Sequence, residues 1–155
     1  ITKDTVNETI VSPLKGKVIP LTQVNDAVFS QGVLGEGAAV IPEEGCIYAP
    51  FDGKIASVFD TKHAVCLVSE KGTELLIHVG IDTVNLEGKP FIQLKQAGES
   101  IKTGDKILEF DIDAIKDAGY DTVTPVIVSN VEESNIKMTS SENVNAGDLL
   151  INVTN

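Results

Sequence analysis

Short apolar runs separated by Gly, Pro, Asp and Asn constrain this chain more than any other feature of its sequence. Each run has the length of a β-strand and is too short for an ordinary buried helix. Turn-forming residues between such runs are typical of strands joined by tight connections. The pattern therefore predicts an all-β protein, a sandwich or a barrel. The runs cover residues 18–20, 38–41, 54–58, 64–68, 75–81, 106–110, 125–128 and 149–153.

Two segments have helical rather than strand character. In residues 113–118, Asp113 is a candidate N-cap and Gly119 is a stop signal, which predicts a short peripheral helix. Residues 25–29 indicate a second, weaker helical turn. The sequence thus predicts only minor short helices beside the strands.

Two pairs of similar turns suggest that the β-structure is duplicated. Residues 12–18 and 49–55 each place a proline-containing turn before a glycine, a lysine and a new strand. Residues 103–108 and 146–150 each begin an apolar run with a Gly-Asp pair. Turns used twice are typical of repeated supersecondary units. No shift in composition marks a boundary, so residues 1–155 are predicted to form a single domain.

An excess of acidic residues limits the partners of this chain. There are 23 Asp and Glu against 12 Lys and Arg, giving a formal net charge of -11. This charge disfavours binding to nucleic acid or to an anionic membrane surface. No apolar stretch approaches the roughly 18 residues of a membrane span, so direct membrane insertion is not expected. We expect a soluble, cytoplasmic domain with basic macromolecular partners.

The strand-like segment 75–81 carries one of the two histidines. Alternation places Leu76, His78, Gly80 and Asp82 on one face. The opposite face is apolar and is predicted to join the core; it comprises Leu75, Ile77, Val79 and Ile81. A glycine beside an imidazole and a carboxylate allows another backbone or a ligand to approach closely. The His78 face therefore resembles a shallow site more than core packing.

The other histidine lies in residues 59–65, where the same alternation groups Phe59, Thr61, His63 and Val65. If this strand neighbours the one that carries His78, the two imidazoles face each other across an apolar depression. The hydroxyl of Thr61 can then fix the tautomer of His63 by a hydrogen bond.

Several alternatives compete with this interpretation. A histidine in an apolar run is commonly a buried, hydrogen-bonded core residue. A structural zinc site needs about four ligands, and the two histidines and two separated cysteines show no ligand spacing. The spacing of His78 and Asp82 resembles half of the zinc site of cell-wall peptidases, but those enzymes also need an HxH pair, and this chain has no third histidine. A lipoyl-like carrier needs a lysine at a hairpin tip, whereas Lys106 leads into a strand. We therefore expect neither metal nor cofactor.

Residues 78–84, His-Val-Gly-Ile-Asp-Thr-Val, resemble the active-site signature of glucose-type enzyme IIA domains of the phosphoenolpyruvate-dependent sugar phosphotransferase system. The resemblance extends from about residue 11 to residue 153. Further blocks of similar kind and spacing are residues 49–53, 61–64, 72–77, 98–105 and 124–126.

The resemblance implies a flattened, duplicated β-sandwich, or barrel-sandwich hybrid, with a relay role in sugar uptake. Such a domain accepts a phosphoryl group from the histidine-containing phosphocarrier protein and passes it to a cysteine of a sugar-specific IIB domain. By this resemblance His78 is the phosphorylated residue, through Nε2, and His63, oriented by Thr61, hydrogen-bonds the phosphoryl oxygens. The domain can be free or tethered to a membrane permease. It can also regulate kinases or permeases by contact.

The resemblance also implies a rim around the histidines. Phe59 and Val84 belong to its apolar part, and Asp82 and Glu36 are the nearby carboxylates. Two positions depart from the family pattern: Glu36 stands where aspartate is usual, and Leu76 stands where an aromatic residue is common.

Overall fold

The computed structural model describes residues 7–154, and this part of the chain forms fourteen strands and two short helices. The single-domain prediction for residues 1–155 therefore extends beyond the described residues. The strands are β1 (Glu8–Val11), β2 (Gly16–Pro20), β3 (Glu36–Pro42), β4 (Cys46–Tyr48), β5 (Gly53–Val58), β6 (Ala64–Ser69), β7 (Glu74–His78), β8 (Phe91–Gln93), β9 (Ser100–Ile101), β10 (Lys106–Phe110), β11 (Thr124–Val128), β12 (Ile136–Met138), β13 (Asn143–Val144) and β14 (Leu149–Val153). The helices are α1 (Ala27–Ser30) and α2 (Ile112–Asp117), and 3₁₀ turns cover Leu21–Gln23, Thr83–Leu86 and Glu133–Asn135.

The strands form three antiparallel sheets that enclose the main core. The largest sheet has the order β13-β2-β3-β11-β7-β6-β5-β9, and the smaller ones have the orders β1-β14-β12 and β4-β10-β8. Alternating residues of β6, β7 and β11 meet residues of β10 and β14 in one buried cluster. Two layers of sheet with open edges and few helices confirm the predicted all-β, flattened sandwich.

The predicted duplication is visible in the sheet order and in the backbone hydrogen bonds. The large sheet reads symmetrically outward from its central pair, with β3 matching β6, β2 matching β5, and β13 matching β9. The proline of each turn accepts a hydrogen bond from the residue two before the proline of the other turn. Val11 N donates to Pro50 O at 3.4 Å, and Tyr48 N donates to Pro13 O at 2.7 Å. The two halves are therefore related by an approximate two-fold axis.

The two Gly-Asp turns occupy matching places in the two halves. Gly147 N donates to Ser12 O at 3.0 Å, and Gly104 N donates to Ala49 O at 2.9 Å. Both glycines have positive φ, +97° and +94°, which a residue with a side chain adopts at a cost. The similar turns seen in the sequence thus make equivalent hydrogen bonds in the two halves.

A second, smaller apolar cluster covers the outer face of the large sheet. Its members include Leu21, Val24 and Phe29 from the connection between β2 and β3, together with Ile81 and Val123. Because this cluster lies on the outer face, the central strand β11 is buried on both sides. The connection between β2 and β3 therefore forms part of the fold rather than a solvent-exposed loop.

Both helices were predicted at the correct places in the chain, but the N-cap of one was predicted wrongly. α2 begins at Ile112, and its N-cap is Asp111 rather than Asp113, because the Asp111 carboxylate accepts a hydrogen bond from Ala114 N at 3.0 Å. The weak turn predicted at residues 25–29 is α1, which Asp26 caps. Within residues 7–154, none of the helices has the length and apolar composition that crossing a membrane requires.

The strand predicted over residues 75–81 ends earlier, at His78. Gly80 and Asp82 have φ of +80° and +60°, which an extended strand cannot accommodate. The chain turns there, and Ile81 packs in the outer cluster with Leu76 instead of in the main core. The prediction that Ile81 is buried is therefore confirmed, but Ile81 does not share the main core with Leu75, Ile77 and Val79.

Gly16 and Gly53 provide a test of the duplicated frame. Each has a neighbouring strand so close that an added Cβ would collide with a carbonyl oxygen, that of Ile41 or of Val68. We expect Gly16→Ala and Gly53→Ala each to lower the free energy of unfolding by about 2 to 3 kcal/mol, as overpacking does. Urea denaturation measures this change.

Gly104→Ala is the matched control. Apart from Gly104 and its two neighbours in the chain, no residue has an atom within 4 Å of a Cβ there. The substitution therefore meets only the positive φ of Gly104 and should cost about 1 kcal/mol. Equal losses at Gly53 and Gly104 would contradict the steric explanation.

Candidate functional site

The two histidines meet where β6 begins and β7 ends. The antiparallel register pairs Ala64 with His78, and Val79 N donates to His63 O at 2.7 Å. The ring centroids lie 4.7 Å apart with the planes inclined at 80°. Strand pairing thus places one imidazole beside the edge of the other.

His78 is half-buried, and a hydrogen bond fixes its tautomer. Its Nδ1 lies 2.8 Å from the carbonyl oxygen of Gly80. A carbonyl oxygen can only accept, so Nδ1 carries the proton and the neutral ring keeps its lone pair on Nε2. The left-handed turn at Gly80 creates this arrangement, because it points the Gly80 carbonyl back toward the ring. His78 therefore offers a nucleophilic nitrogen in a fixed position.

His63 is more deeply placed, with 3% of its surface exposed. Thr61 Oγ1 lies 2.7 Å from His63 Nδ1. When this hydroxyl donates to Nδ1, Nε2 carries the proton and can donate to an oxygen of a bound group. Thr61 and His63 lie in the tight connection between β5 and β6, closed by a hydrogen bond from Phe59 N to Ala64 O at 3.0 Å. The alternation predicted through residues 59–65 is therefore broken by a turn.

Both imidazoles favour the neutral form. Burial, and secondly the charge that His78 would carry, lowers the pKa of His63 from 6.5 to about 4. Burial also lowers the pKa of His78, and the bond to Gly80 together with the charges of Asp26 and Asp82 opposes this shift. At neutral pH the site thus contains a neutral His78 ring with a free lone pair on Nε2 and a neutral His63 ring that can donate a hydrogen bond.

Aromatic and aliphatic side chains surround the two rings. Phe29 of α1 lies 4.9 Å from His78 between ring centroids, and Phe59 lies 5.3 Å from His63. Phe29 is buried in the outer cluster, whereas Phe59 is 43% exposed. Val28 and Val84 are also exposed, on α1 and on the turn that follows β7. These residues give the site an apolar border that a flat partner surface could cover.

The carboxylates around His78 differ from those that the sequence suggested. The charge of Asp82 raises the pKa of His78, as expected of a nearby carboxylate, and so does the charge of Asp26, the cap of α1, which no sequence motif indicated. Glu36 lies at the start of β3 with its carboxylate against Gly32. Burial and the charge of Glu133 raise the pKa of Glu36.

Asp26 and Phe29 reach the site only through folding of the connection between β2 and β3. The sequence signal for them was the weak helical turn at residues 25–29, which gave no indication of where the turn would pack. Among residues 7–154, no group of three or more His, Cys, Asp and Glu side chains is arranged to hold a metal ion.

Comparison with known proteins gives one family. The model described as phosphoenolpyruvate-dependent sugar phosphotransferase system, EIIA 1, matches residues 8–134. The PTS system glucose-specific EIIA component of Oceanobacillus iheyensis is 44% identical over 144 residues, which cover 90% of this chain and 86% of that protein. Glucose permease IIA from Mycoplasma capricolum has a similar structure, with a TM-score of 0.90 at 28% identity, over 99% of this chain and 100% of that chain.

Other relatives are much longer than this chain. The PTS system beta-glucoside-specific EIIBCA component of Dickeya chrysanthemi is 50% identical over 127 residues, or 82% of this chain and 20% of that protein. The chain thus spans about a fifth of the length of the beta-glucoside-specific relatives that it matches.

The depressed pKa of His63 can be tested by an NMR titration of the ring protons. We expect His63 to stay neutral as the pH falls from 8 to 5 and to titrate near 4. An unfolded chain takes up this proton near pH 6.5, so protonation favours unfolding and His63 lowers stability as the pH falls from 6.5 toward 4.

The variant His78→Gln separates the two causes. Removing the neighbouring charge should raise the pKa of His63 only in part, because burial is the larger cause. A His63 ring that titrates near 6.5 in the wild type would contradict the buried, neutral site.

Proposed function

The chain belongs to the EIIA 1 family of the phosphoenolpyruvate-dependent sugar phosphotransferase system, and we propose that it is a phosphoryl carrier of sugar uptake in which His78 holds the phosphoryl group. The family match confirms the resemblance that residues 78–84 suggested. The observation that carries the proposal is the hydrogen bond from His78 Nδ1 to Gly80 O, since it leaves Nε2 free to react. The donor is the histidine-containing phosphocarrier protein, and the acceptor is a cysteine of a sugar-specific IIB domain.

Each transfer exchanges one bond to phosphorus for another. The Nε2 lone pair of His78 attacks the phosphorus of the donor phosphohistidine, and the donor nitrogen leaves with the bonding electron pair. A cysteine thiolate of the acceptor later attacks the same phosphorus, and His78 Nε2 takes back its lone pair. A phosphohistidine intermediate on this chain links the two steps.

His63 stabilises the transferring group. Its ring lies 4.7 Å from that of His78 between centroids, and a proton on Nε2 can be donated to a phosphoryl oxygen. Fixed donors aimed at the equatorial oxygens supply much of the catalysis of phosphoryl transfer. Thr61 acts through His63, because its hydroxyl on Nδ1 selects the tautomer with the proton on Nε2.

The border of the site suits transfer between proteins. Phe59, Val84 and Val28 are exposed around the histidines and give a partner an apolar surface to cover. Covering it excludes water from the phosphohistidine and limits hydrolysis. Leu76, half-buried in the outer cluster, widens this apolar surface. Gly80 is buried against Thr83 and the Asp121 carbonyl, so the close approach that the sequence predicted at Gly80 is made by this chain itself.

Charge favours a basic partner. The charges of Asp26 and Asp82 raise the pKa of His78, and the whole chain carries a formal charge of -11. An arginine of the phosphocarrier or of the IIB domain could bridge these carboxylates and the phosphoryl oxygens. Glu36, which begins β3, is the further carboxylate that the resemblance to the family assigns to this rim. Relatives named EIIBCA and EIICBA components support a IIB domain as the acceptor.

Labelling from phosphoenolpyruvate through enzyme I and the phosphocarrier protein tests the roles of the two histidines. His78→Ala should accept no acid-labile phosphoryl group. His63→Ala should accept the group but pass it to a IIB domain about 100-fold more slowly, the effect of removing one transition-state donor. Mass spectrometry and quenched-flow transfer rates measure both outcomes.

The matched variant His63→Gln keeps an N–H donor at a similar reach, so it should transfer faster than His63→Ala. Stable label on His78→Ala would assign the acceptor elsewhere. Equal rates for the two His63 variants would rule out a donor role for His63.

A second test addresses the charges. Asp26→Asn and Asp82→Asn should each lower the second-order rate of transfer from the phosphocarrier about 10-fold at low salt and weaken its salt dependence. Asparagine also caps helices and tolerates the left-handed conformation of Asp82, so the fold is preserved. Asp113→Asn on α2 is the control, and an equal effect there would show that only net charge matters.

A further inference from the structure

The Gly80 carbonyl that sets the tautomer of His78 is itself held by its neighbours. The next peptide N–H, that of Ile81, donates to Asp121 O at 3.0 Å, and Gly80 N donates to Val123 O at 3.0 Å. Both peptides that flank Gly80 are therefore tied to the segment before β11. The turn after β7 is rigid because its backbone groups are paired.

Two successive peptide groups in this turn follow His78. The first, His78–Val79, donates from Val79 N to His63 O at 2.7 Å, and the second, Val79–Gly80, contains the Val79 carbonyl and Gly80 N. Any rotation of the Val79–Gly80 peptide would move the Gly80 carbonyl away from His78 Nδ1. The orientation of this peptide thus affects which nitrogen of His78 is protonated.

A buried hydroxyl holds that peptide from the other side. Thr83 is 0% exposed, and its Oγ1 donates to Val79 O at 2.5 Å. Its side chain also packs against the α-carbon of Gly80, where an added Cβ would collide with it. Since water does not reach Thr83, no solvent molecule can replace this donor.

We propose that Thr83 is a positioning residue for phosphoryl transfer: its hydroxyl fixes the Val79–Gly80 peptide and so keeps the Gly80 carbonyl on Nδ1 of His78. This inference rests on the proposed function of His78. Thr83 does not touch the phosphoryl group; it acts through two peptides. Orienting partners of metal-ligating histidines typically change affinity or activity by about 10- to 100-fold, and we expect an effect of that order here.

The variant Thr83→Val tests this role, because it keeps the shape of the side chain and removes the hydroxyl. At pH 8, ¹⁵N chemical shifts of the unphosphorylated protein report the tautomer of His78. We expect the wild type to show an unprotonated Nε2 and Thr83→Val to show a mixture of both tautomers. Transfer from the phosphocarrier should fall about 10-fold or more. Thr83→Ser, which keeps the hydroxyl, should retain the tautomer and the transfer rate of the wild type.

Thr73→Val is the matched control. Thr73 is equally buried, and its hydroxyl donates to Glu8 Oε1 at 2.6 Å just before β7 begins, at the end remote from His78. Its loss should lower stability without changing the tautomer of His78. If Thr83→Val does not fold, Thr83→Cys replaces it, and its weaker donor should give an intermediate tautomer mixture.

If Thr83→Val or Thr83→Cys shows the ring shifts and the transfer rate of the wild type, the positioning role is overturned. Thr83 is then a purely structural residue. The tautomer is measured without any phosphoryl donor. Absence of labelling in the wild type would therefore defeat the proposed function and leave only the effect of Thr83 on the tautomer, whereas unchanged shifts in the variant would defeat this inference alone.

Discussion

The antiparallel pairing of β6 with β7 is the constraint on which the site depends. Its register sets Ala64 opposite His78 and continues into the hydrogen bond from Val79 N to His63 O. Side chains in a strand alternate between faces, so a slip of one residue would move His78 into the main core and Ile77 out of it. The fully buried Ile77 and Leu75 oppose such a slip, because each would lose its apolar surroundings. Core packing therefore maintains the distance between the two rings.

The electrostatics of the site result from two opposing influences. Burial favours neutral rings, while Asp26, Asp82 and the Gly80 carbonyl favour a proton on His78. The balance leaves His78 neutral with its lone pair on Nε2, and leaves His63 neutral with a pKa near 4. In the proposed function, a phosphoryl group would bring negative charge into this environment. The nearby carboxylates would repel that charge, which would make the phosphorylated state easy to discharge to a basic partner.

The duplicated frame is symmetrical, but the site is not. Matching strands and matching Gly-Asp turns build both halves, whereas the connections between paired strands differ. In the first half, the long connection from β2 to β3 supplies Asp26 and Phe29 and covers the outer face of the sheet. In the second half, the short connection from β5 to β6 supplies Thr61 and His63. The candidate site therefore combines His78, at the end of the shared strand β7, with residues from segments in which the two halves diverge.

The amino-acid pattern predicted the all-β class, eight of the strands, the duplication and the pairing of the two histidines, because strand alternation and turn residues are local properties of the chain. It missed short edge strands such as β8 and β12, whose pairing rather than their composition defines them. Only the tertiary structure placed Asp26 and Phe29 beside His78 and turned the chain at Gly80, which ended the predicted alternation. These features depend on contacts between residues distant in sequence, and a pattern of neighbouring residues contains no information about such contacts.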